Sequence, residues 1–330
     1  MRRHMRFLRY FAVCFTVAVA PLSGPAFAAD YPSRAITIVV PFPAGAGVDL
    51  TARLLAEKLA RQLGRPVVVE NRPGASGLVG AAAVSRAAPD GYTLLMTPNT
   101  LFIAPHVMPA GEKPPVDVIN DFESVVMPSQ TTMVMVANPG LGVTDAKQLA
   151  DLARKEPGQI TYGSSGNGSV LQIAGELFNQ SAHVDIRHVP FRGIIPAIEN
   201  VLGGYVNVTF SGIGPVRGYL QSNTLVALAT VEDKRSAALP ELPTAIEQGF
   251  PDVAVDGWYV LLAPKGTPQE IVDRLNQEVN TVLAVPEIRE RIVLIGDLAL
   301  GGTPEEAKKR ILHDYDRYGA IVNQLKITSD

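Results

Sequence analysis

The amino-acid sequence predicts an α/β protein made of two doubly wound units. Short apolar segments of strand length alternate with segments whose apolar residues recur at helical spacing, and turns rich in glycine and proline separate them. The alternation occurs twice along the chain, which predicts two sheets with helices on both faces. The length of 330 residues, with 47% hydrophobic and 18% charged residues, suits about two folded domains and excludes a disordered or fibrous protein.

The first unit is predicted between residues 35 and 96. Its strands are continuously apolar, which is typical of parallel strands covered on both faces. Gly64 is expected to end the first helix, because glycine readily adopts the left-handed conformation that closes a helix. In order, the elements are a strand at 35–40, a helix at 48–63, a strand at 67–70, a helix at 78–87 and a strand at 92–96.

The second unit is predicted between residues 133 and 229, after a loop at 108–121. A strand at 258–263 and two helices follow it, and Thr267 and Thr303 are expected to cap those helices because each precedes a proline and has a glutamate three residues on. The absence of a low-complexity linker predicts a shared hinge. The unit has strands at 133–137, 160–163, 185–189, 205–211 and 225–229, and helices at 145–155, 169–180, 196–202 and 215–221.

The first 28 residues have the pattern of a secretory signal peptide. Four arginines precede an apolar run from Tyr10 to Leu22, and the small residues Ala26 and Ala28 supply a cleavage site after about Ala28. The apolar run is too short to span a membrane. We therefore expect an exported, soluble mature protein that begins at residue 29.

Composition excludes several classes of function. Removal of residues 1–28 takes away four arginines and no acidic residue, which changes the net charge from −3 to −7 and argues against nucleic-acid binding. The single cysteine, Cys14, lies in the predicted signal, so the mature protein has no thiol for a disulfide, a zinc site or a nucleophile. His183 and His188 are an odd number of residues apart around a strand, so their side chains point to opposite faces and no metal site is predicted.

The turn after the first strand is a candidate anion site, because it leads into a helix N-terminus with free backbone N–H groups. A dinucleotide fingerprint would need glycine where Leu50 stands, although Glu70 resembles the ribose-binding acid of that fold. Export also argues against a nicotinamide, so no cofactor is predicted, and a plain turn without a ligand remains the alternative. The turn contains Ala44, Gly45, Ala46, Gly47, Val48 and Asp49.

Two further strand-to-helix junctions offer polar groups. The first superficially resembles a serine nucleophile elbow, but Asn167 stands where that motif has glycine, so no catalytic residue is predicted. In the second, Arg192 could pair with a carboxylate or simply be solvated. Trp258 has two open interpretations, core packing or the wall of a cleft. The junctions contain Ser164, Ser165, Gly166, Asn167, Gly168 and Ser169, and Arg192, Gly193 and Ile194.

Several motifs occur in a specific order through the mature chain: Tyr31–Arg34 followed by Ile38–Gly45, then Val67–Ala75, Ala88–Leu95, Gly163–Ser169 and Leu261–Pro264. Together they resemble the tripartite tricarboxylate transporter receptor family, the extracytoplasmic solute receptors also called Bug proteins. The resemblance extends beyond Gly302-Thr303-Pro304.

The resemblance implies a two-lobed periplasmic binding protein of the Venus flytrap type. The chain is expected to cross between lobes near Met127–Gln130 and Val253–Trp258, with 29–128 and 255–330 in lobe 1 and 129–254 in lobe 2. Such a receptor closes on a small carboxylate and delivers it to a membrane permease of two subunits. The resemblance implies a periplasmic binding protein that is not an enzyme. No cofactor or bound metal is predicted, and a monomer is the default expectation for a soluble receptor.

The resemblance also assigns ligand contacts to the first βα turn (44–49) and to Ser164–Ser169. Arg192, Gly193, Ile194 and Ser211 are further candidate contacts. Val48 stands where the family usually has threonine, Ile194-Ile195 replaces small residues and Ser211-Gly212 replaces Asp-Asn. With Leu101 and Phe102 nearby, these changes predict an apolar cleft and an aromatic or apolar carboxylate, such as a phthalate isomer. The alternatives are a ligand sensor for a signalling partner and an exported α/β hydrolase that would use Ser164-Ser165 but lacks a placed base.

Overall fold

Two β-sheets organise the part of the chain that the computed structural model describes, residues 31–109 and 111–328. The predicted signal peptide at 1–28 lies outside these residues, and the chain from Pro32 onward forms one compact unit. The strands are β1 (Ile36–Val40), β2 (Val67–Asn71), β3 (Thr93–Pro98), β4 (Phe122–Thr131), β5 (Met133–Ala137), β6 (Thr161–Ser164), β7 (Arg187–Pro190), β8 (Val208–Gly212), β9 (Val226–Thr230), β10 (Gly257–Pro264) and β11 (Asp297–Gly301).

Helices connect most of these strands and cover the sheets. Among the residues described, no helix has both the length and the apolar character needed to cross a membrane. The helices are α1 (Gly47–Leu63), α2 (Leu78–Ser85), α3 (Thr100–Ile103), α4 (Ala146–Lys155), α5 (Val170–Ala182), α6 (Ile194–Leu202), α7 (Ile213–Gln221), α8 (Gln269–Ala284), α9 (Pro286–Leu294) and α10 (Pro304–Leu325).

The strand order is β11-β4-β10-β3-β1-β2 in one sheet and β7-β6-β8-β5-β9 in the other. The predicted parallel pairing is confirmed for β1 with β2 and β3, and for β6 with β7 and β8. It is wrong for β5, which is antiparallel to both of its neighbours. Strand β10, for which no orientation was predicted, is also antiparallel to both of its neighbours. In the described chain, no helix lies between β4 and β5 or between β9 and β10, so both strands enter from the other sheet without the helical crossover that makes neighbouring strands parallel.

Strand β4 was not predicted from the sequence, because Pro128 and the polar residues after it weaken the strand pattern. The structure accommodates Pro128 at an irregularity: β10 pairs Tyr259 with Ser129 and Leu261 with Val126, and the register shifts between the two pairs. Such a bulge leaves one residue of the strand out of the ladder. A proline can therefore lie inside a central strand.

The chain passes between the sheets at two adjacent places. Strand β4 ends at Thr131 and β5 begins at Met133 in the other sheet; on the return, β9 ends at Thr230 and β10 begins at Gly257. Gly257 pairs with Thr131, so the two crossings lie side by side. The first crossing comes a few residues after the predicted Met127–Gln130. The lobe boundaries at 128/129 and 254/255 stay predictions, and we use lobe 1 and lobe 2 for the parts of the chain around the six- and five-stranded sheets.

The two predicted threonine caps differ in outcome. Thr303 forms the expected capping box with Glu306 at the start of α10. Thr267 does not cap α8, because its hydroxyl donates to the Pro264 carbonyl at 2.7 Å and the helix begins at Gln269. The Thr267 hydroxyl thus bonds a nearby backbone carbonyl instead of the helix N-terminus that the sequence pattern predicted.

Candidate functional site

The turn between β1 and α1 is held by a buried carboxylate. Asp49 is only 2% exposed, and its carboxylate accepts hydrogen bonds from the backbone N–H of Gly45 at 2.9 Å, from Arg53 Nε at 3.0 Å and from Asn71 Nδ2 at 2.9 Å. Burial raises the pKa of Asp49, but these hydrogen bonds outweigh it and hold the pKa below its usual value. Asp49 therefore holds the shape of the turn.

We expect Asp49→Asn to destabilise the protein by about 1–3 kcal/mol at neutral pH, because the amide nitrogen would face a donor in either orientation: Gly45 N–H and Arg53 Nε in one, Asn71 Nδ2 in the other. The pKa of Asp49 is lowered on folding, so its stabilising effect is present above the unfolded-state pKa and is lost as the pH falls through the folded-state pKa. Urea unfolding of both proteins from pH 7 down to pH 3 measures this. If the difference in unfolding free energy between the two proteins stays constant over that pH range, the ionised carboxylate of Asp49 does not stabilise the fold.

The N-termini of four helices converge on a small cavity of about 70 Å³. Among the residues described, no acidic, basic or histidine side chain lines it. The amides of Gly47, Val48 and Leu171 make no hydrogen bond with other described residues. The helices contribute Ala46, Gly47 and Val48 from α1, Val170 and Leu171 from α5, Ile194 from α6, and Gly212 and Pro215 from α7. We call it the inner cavity.

A second cavity, of about 660 Å³, adjoins the first and is called the outer cavity. Phe42 and Ser165 line both. Of the residues predicted from sequence, Ala46, Gly47, Val48 and Ile194 line the inner cavity, and Gly166, Asn167, Arg192 and Gly193 line the outer one.

The other predicted residues line neither cavity. Ala44 is exposed. Ser169 caps α5 by accepting from the Gln172 N–H at 3.2 Å, and the Ser211 hydroxyl donates to the Gly212 carbonyl at 2.7 Å. Gly45, Asp49, Ser164 and Gly168 complete this group. These residues build the turns around the cavities and do not form their walls.

Ser164 and His188 form a pair that sequence analysis missed. The Ser164 Oγ lies 2.6 Å from His188 Nε2, so a base does stand beside this serine. Ser164 is fully buried and lines neither cavity, and burial lowers the pKa of His188 to about 4. The His188 ring stacks on Tyr162 at 4.9 Å. The pair joins β6 to β7 and gives the hydrolase interpretation no support.

The two lobes touch around the cavities. The Ser76 hydroxyl of lobe 1 donates to the Asn167 carbonyl of lobe 2 at 2.6 Å. Gly193 packs on Pro43, where an added Cβ would lie 2.7 Å from the proline ring. Ser76 and Ala75 both have positive φ angles, of 52° and 46°, which cost about 1 kcal/mol or more each in residues other than glycine. Backbone strain is thus located at a contact between the lobes.

Other residues of the inner cavity were missed or misplaced by sequence analysis. Trp258 both lines the cavity and packs in the core, where its ring lies 5.7 Å from that of Phe102. The two interpretations left open by the sequence therefore both apply. Leu101 and Phe102 belong to the core of lobe 1 and line neither cavity, so this part of the apolar-cleft argument is wrong. Asn99 and Tyr259 also line the inner cavity. The signal that could identify Asn99 is its place just after β3, since ligands bind beyond the carboxyl ends of parallel strands.

Three comparisons identify what this chain is similar to. Residues 51–327 match the profile of the family described as "Tripartite tricarboxylate transporter family receptor". Protein BugT of Bordetella pertussis is 33% identical over 310 residues, which cover 93% of this chain and 94% of BugT.

Two solved structures have the same fold over nearly the whole chain. One is described as a periplasmic transporter, with 36% identity and a TM-score of 0.86 over 91% of this chain and 100% of that one. The other is Rpa4515 of R. palustris with adipate, with 29% identity and a TM-score of 0.87 over 91% of this chain and 99% of that one. With the two sheets and the two cavities between their lobes, these matches show that the chain belongs to the tripartite tricarboxylate transporter receptor family.

Proposed function

We propose that this receptor binds a small carboxylate in the inner cavity and delivers it to a membrane permease of two subunits. The observation that carries the proposal is the convergence of four helix N-termini on a cavity that, among the described residues, no charged side chain lines. Helix N-termini carry partial positive charge and free N–H groups, so they favour an anion without a permanent cation. Each charge-assisted hydrogen bond to the carboxylate contributes roughly 1.5–3 kcal/mol.

The contacts we propose come from both lobes. Lobe 1 contributes the turn at 44–49, in which Gly47 and Val48 present their amides to the carboxylate. Lobe 2 contributes Ser164–Ser169, with Ser165 at the wall of both cavities, together with residues 192–194. The remaining predicted residues support these turns. Binding across two lobes favours a closed state, because the ligand contacts both lobes only when they meet.

The ligand we propose is an aromatic or otherwise apolar carboxylate, such as a phthalate isomer. Val48 and Ile194 line the inner cavity, as do Met133, Leu171 and the ring of Trp258. This apolar wall supports the part of the sequence argument that rests on Val48 and Ile194. Rpa4515 has been solved with adipate, an aliphatic dicarboxylate, so aliphatic acids are the comparison class.

The proposed location is the periplasm and the proposed form is a monomer. The periplasmic location agrees with the solved periplasmic transporter of the same fold and with the signal-peptide pattern of residues 1–28. A ligand sensor is the second candidate function, because a signalling protein could recognise the same closed state that a permease would bind. Loss of uptake in a strain that lacks the receptor, with restoration by the gene, separates transport from sensing.

The test is a thermal-shift screen of the mature protein against benzoate, phthalate isomers, adipate, malate, citrate, aspartate and nicotinate. A ligand that binds only the folded state raises the melting temperature. Trp258 is the only tryptophan in the chain and lines the inner cavity, so its fluorescence is expected to change on binding. The matched control is benzamide, which keeps the ring and lacks the charge.

A shift with benzoate or a phthalate but not with benzamide supports the aromatic carboxylate. A shift with adipate, citrate or aspartate alone keeps the receptor and overturns the ligand class. Equal shifts with benzoate and benzamide would contradict the anion site.

A further inference from the structure

The turn from Gly74 to Gly77 in lobe 1 has an uncommon backbone conformation. The Gly77 N–H donates to the Gly74 carbonyl at 3.0 Å, and the two residues between them, Ala75 and Ser76, have φ angles of 46° and 52°. Positive φ at both central residues is typical of a type I′ turn, which prefers asparagine and glycine at these positions. Alanine and serine are strained there, and such strain persists only where the surroundings fix the backbone.

Lobe 1 alone fixes this turn. Gly77 lies against the Phe42 ring, which an added Cβ would approach to 3.3 Å. Just before the turn, the Arg72 N–H donates to the Val40 carbonyl of β1 at 2.8 Å, and Leu78 directly after it is buried in the core of lobe 1. These contacts do not involve lobe 2, so we expect the turn to keep its shape when the lobes separate.

The turn directs the Ser76 hydroxyl at lobe 2. This hydroxyl donates to the Asn167 carbonyl at 2.6 Å, and among the described residues it is the only donor to that carbonyl. The loop that presents the carbonyl is fixed by its own lobe, because the next N–H, of Gly168, donates to the buried Gln172 side chain at 2.7 Å. Two turns that are formed separately in the two lobes thus meet through one hydrogen bond.

This hydrogen bond lies at the outer cavity, since Ser76 and Asn167 both line it. The lobes fit closely there: a Cβ added to Gly166 would lie 3.3 Å from the Ser76 hydroxyl oxygen, and one added to Gly193 would lie 2.7 Å from Pro43. Separation of the lobes at this place would break the bond and expose both partners to water.

We propose that Ser76 is a latch residue of the closed receptor: its hydrogen bond to Asn167 stabilises the contact between the lobes and slows release of the ligand. The inference rests on the proposed function, because it takes closure around a ligand as the event that joins the lobes. Both partners are fixed before the lobes meet, so little conformational entropy is lost when the bond forms. Ser76 acts through Asn167 and needs no contact with the ligand, which makes it a positioning residue.

Two variants remove the hydroxyl and differ in backbone preference. Ser76→Ala keeps the strain, whereas Ser76→Gly relieves it, because glycine adopts positive φ readily. Ser85→Ala is the matched control: the Ser85 hydroxyl also donates to a backbone carbonyl, that of Ala82 at 3.2 Å, but within lobe 1, and Ser85 lines neither cavity.

Affinity and dissociation rate are measured by Trp258 fluorescence with the tightest carboxylate of the screen. We expect both Ser76 variants to bind about three- to tenfold more weakly, which is the effect of losing one hydrogen bond. Most of the change should appear in the dissociation rate, because the latch forms after the ligand has entered. Ser85→Ala should bind as wild type does.

A second measurement does not depend on a ligand. Cys14 is the only cysteine of the sequence and lies in the predicted signal, so spin labels attach only to cysteines introduced into the mature chain. With Arg86→Cys in lobe 1 and Lys155→Cys in lobe 2, both exposed positions, the distances between labels measure the ratio of closed to open receptor. Both Ser76 variants are expected to lower that ratio, by about three- to tenfold.

The outcomes separate the latch from the proposed function. If no carboxylate of the screen binds, the proposed function fails and the label distances alone decide on the latch. If carboxylates bind and Ser76→Gly equals wild type in affinity, dissociation rate and label distances, the latch is overturned and the receptor assignment stands. Equal losses in Ser85→Ala would show a general loss of stability and also overturn it. Losses confined to the two Ser76 variants support the latch.

Discussion

Replacing Gly47 with alanine is expected to weaken carboxylate binding by at least about tenfold. Gly47 is the first residue of α1 and lines the inner cavity, and a methyl group there would overlap the Tyr259 hydroxyl. Tyr259 is buried in the central strand β10 and has little room to move. The turn must therefore shift, which displaces the amides of Gly47 and Val48 from the anion.

Two variants make this prediction specific. Tyr259→Phe removes the overlapping oxygen, so the double variant is expected to recover most of the affinity lost by Gly47→Ala. Gly218→Ala is the matched control: Gly218 lies inside α7 with nothing near the added methyl, so it should leave affinity unchanged and raise stability by about 0.5–1 kcal/mol. Fluorescence titration of all four proteins with the tightest carboxylate of the panel measures this. A double variant no better than Gly47→Ala would refute the steric explanation.

Asp297→Asn is expected to stabilise the protein above about pH 7, by about 2–4 kcal/mol. Asp297 is 1% exposed, and its carboxylate accepts hydrogen bonds from Thr51 at 2.7 Å and Ser129 at 3.2 Å. Burial raises its pKa to about 7, and the hydrogen bonds only partly offset that effect. The folded protein therefore holds a proton that the unfolded chain releases near pH 4, so stability falls as the pH rises from about 4 to 7. Asparagine is neutral throughout and still accepts hydrogen bonds.

Urea unfolding at pH 5 and at pH 8 tests this expectation. Wild type should lose more stability between these values than Asp297→Asn does. Glu232, whose pKa burial raises to about 8, acts in the same direction but is present in both proteins and cancels in the comparison. Asp49→Asn serves as the contrast. Folding lowers the pKa of Asp49 and raises that of Asp297, so the effect of Asp49→Asn on stability is expected to change at acidic pH. Equal pH dependence in wild type and Asp297→Asn would refute the buried, protonated carboxyl.

The strands and helices that could be predicted from sequence are those with strong periodicity and clear ends. Helix α1 begins within one residue of its prediction and ends at Leu63, before Gly64, which has the left-handed φ of 65°. Strand β4 was missed because Pro128 interrupts its pattern, and the bulge that accepts this proline depends on pairing with the distant β10. A sequence pattern carries no information on such a partner.

The candidate site divides in the same way. The turns at 44–49 and 164–169 were identified because glycine and small residues follow a strand and precede a helix, a local pattern. Sequence could not show that Asp49 is engaged by Gly45, Arg53 and Asn71, since Asn71 comes from another strand. It could not place Tyr259 beside Gly47 either, since the two are brought together only by the order of strands in the sheet.

The side-by-side crossings between the lobes limit how they can move. Thr131 and Gly257 are neighbours in one ladder, and beyond them the Val231 N–H donates to the Met133 carbonyl at 3.0 Å and the Val255 N–H to the Val231 carbonyl at 2.8 Å. A single strand would let one lobe swivel freely, whereas hydrogen-bonded strands resist torsion and bend in one direction. The closure that the proposed function requires would therefore have one main degree of freedom. Under that proposal, each closure would return the same surfaces of the two lobes to the same relative orientation.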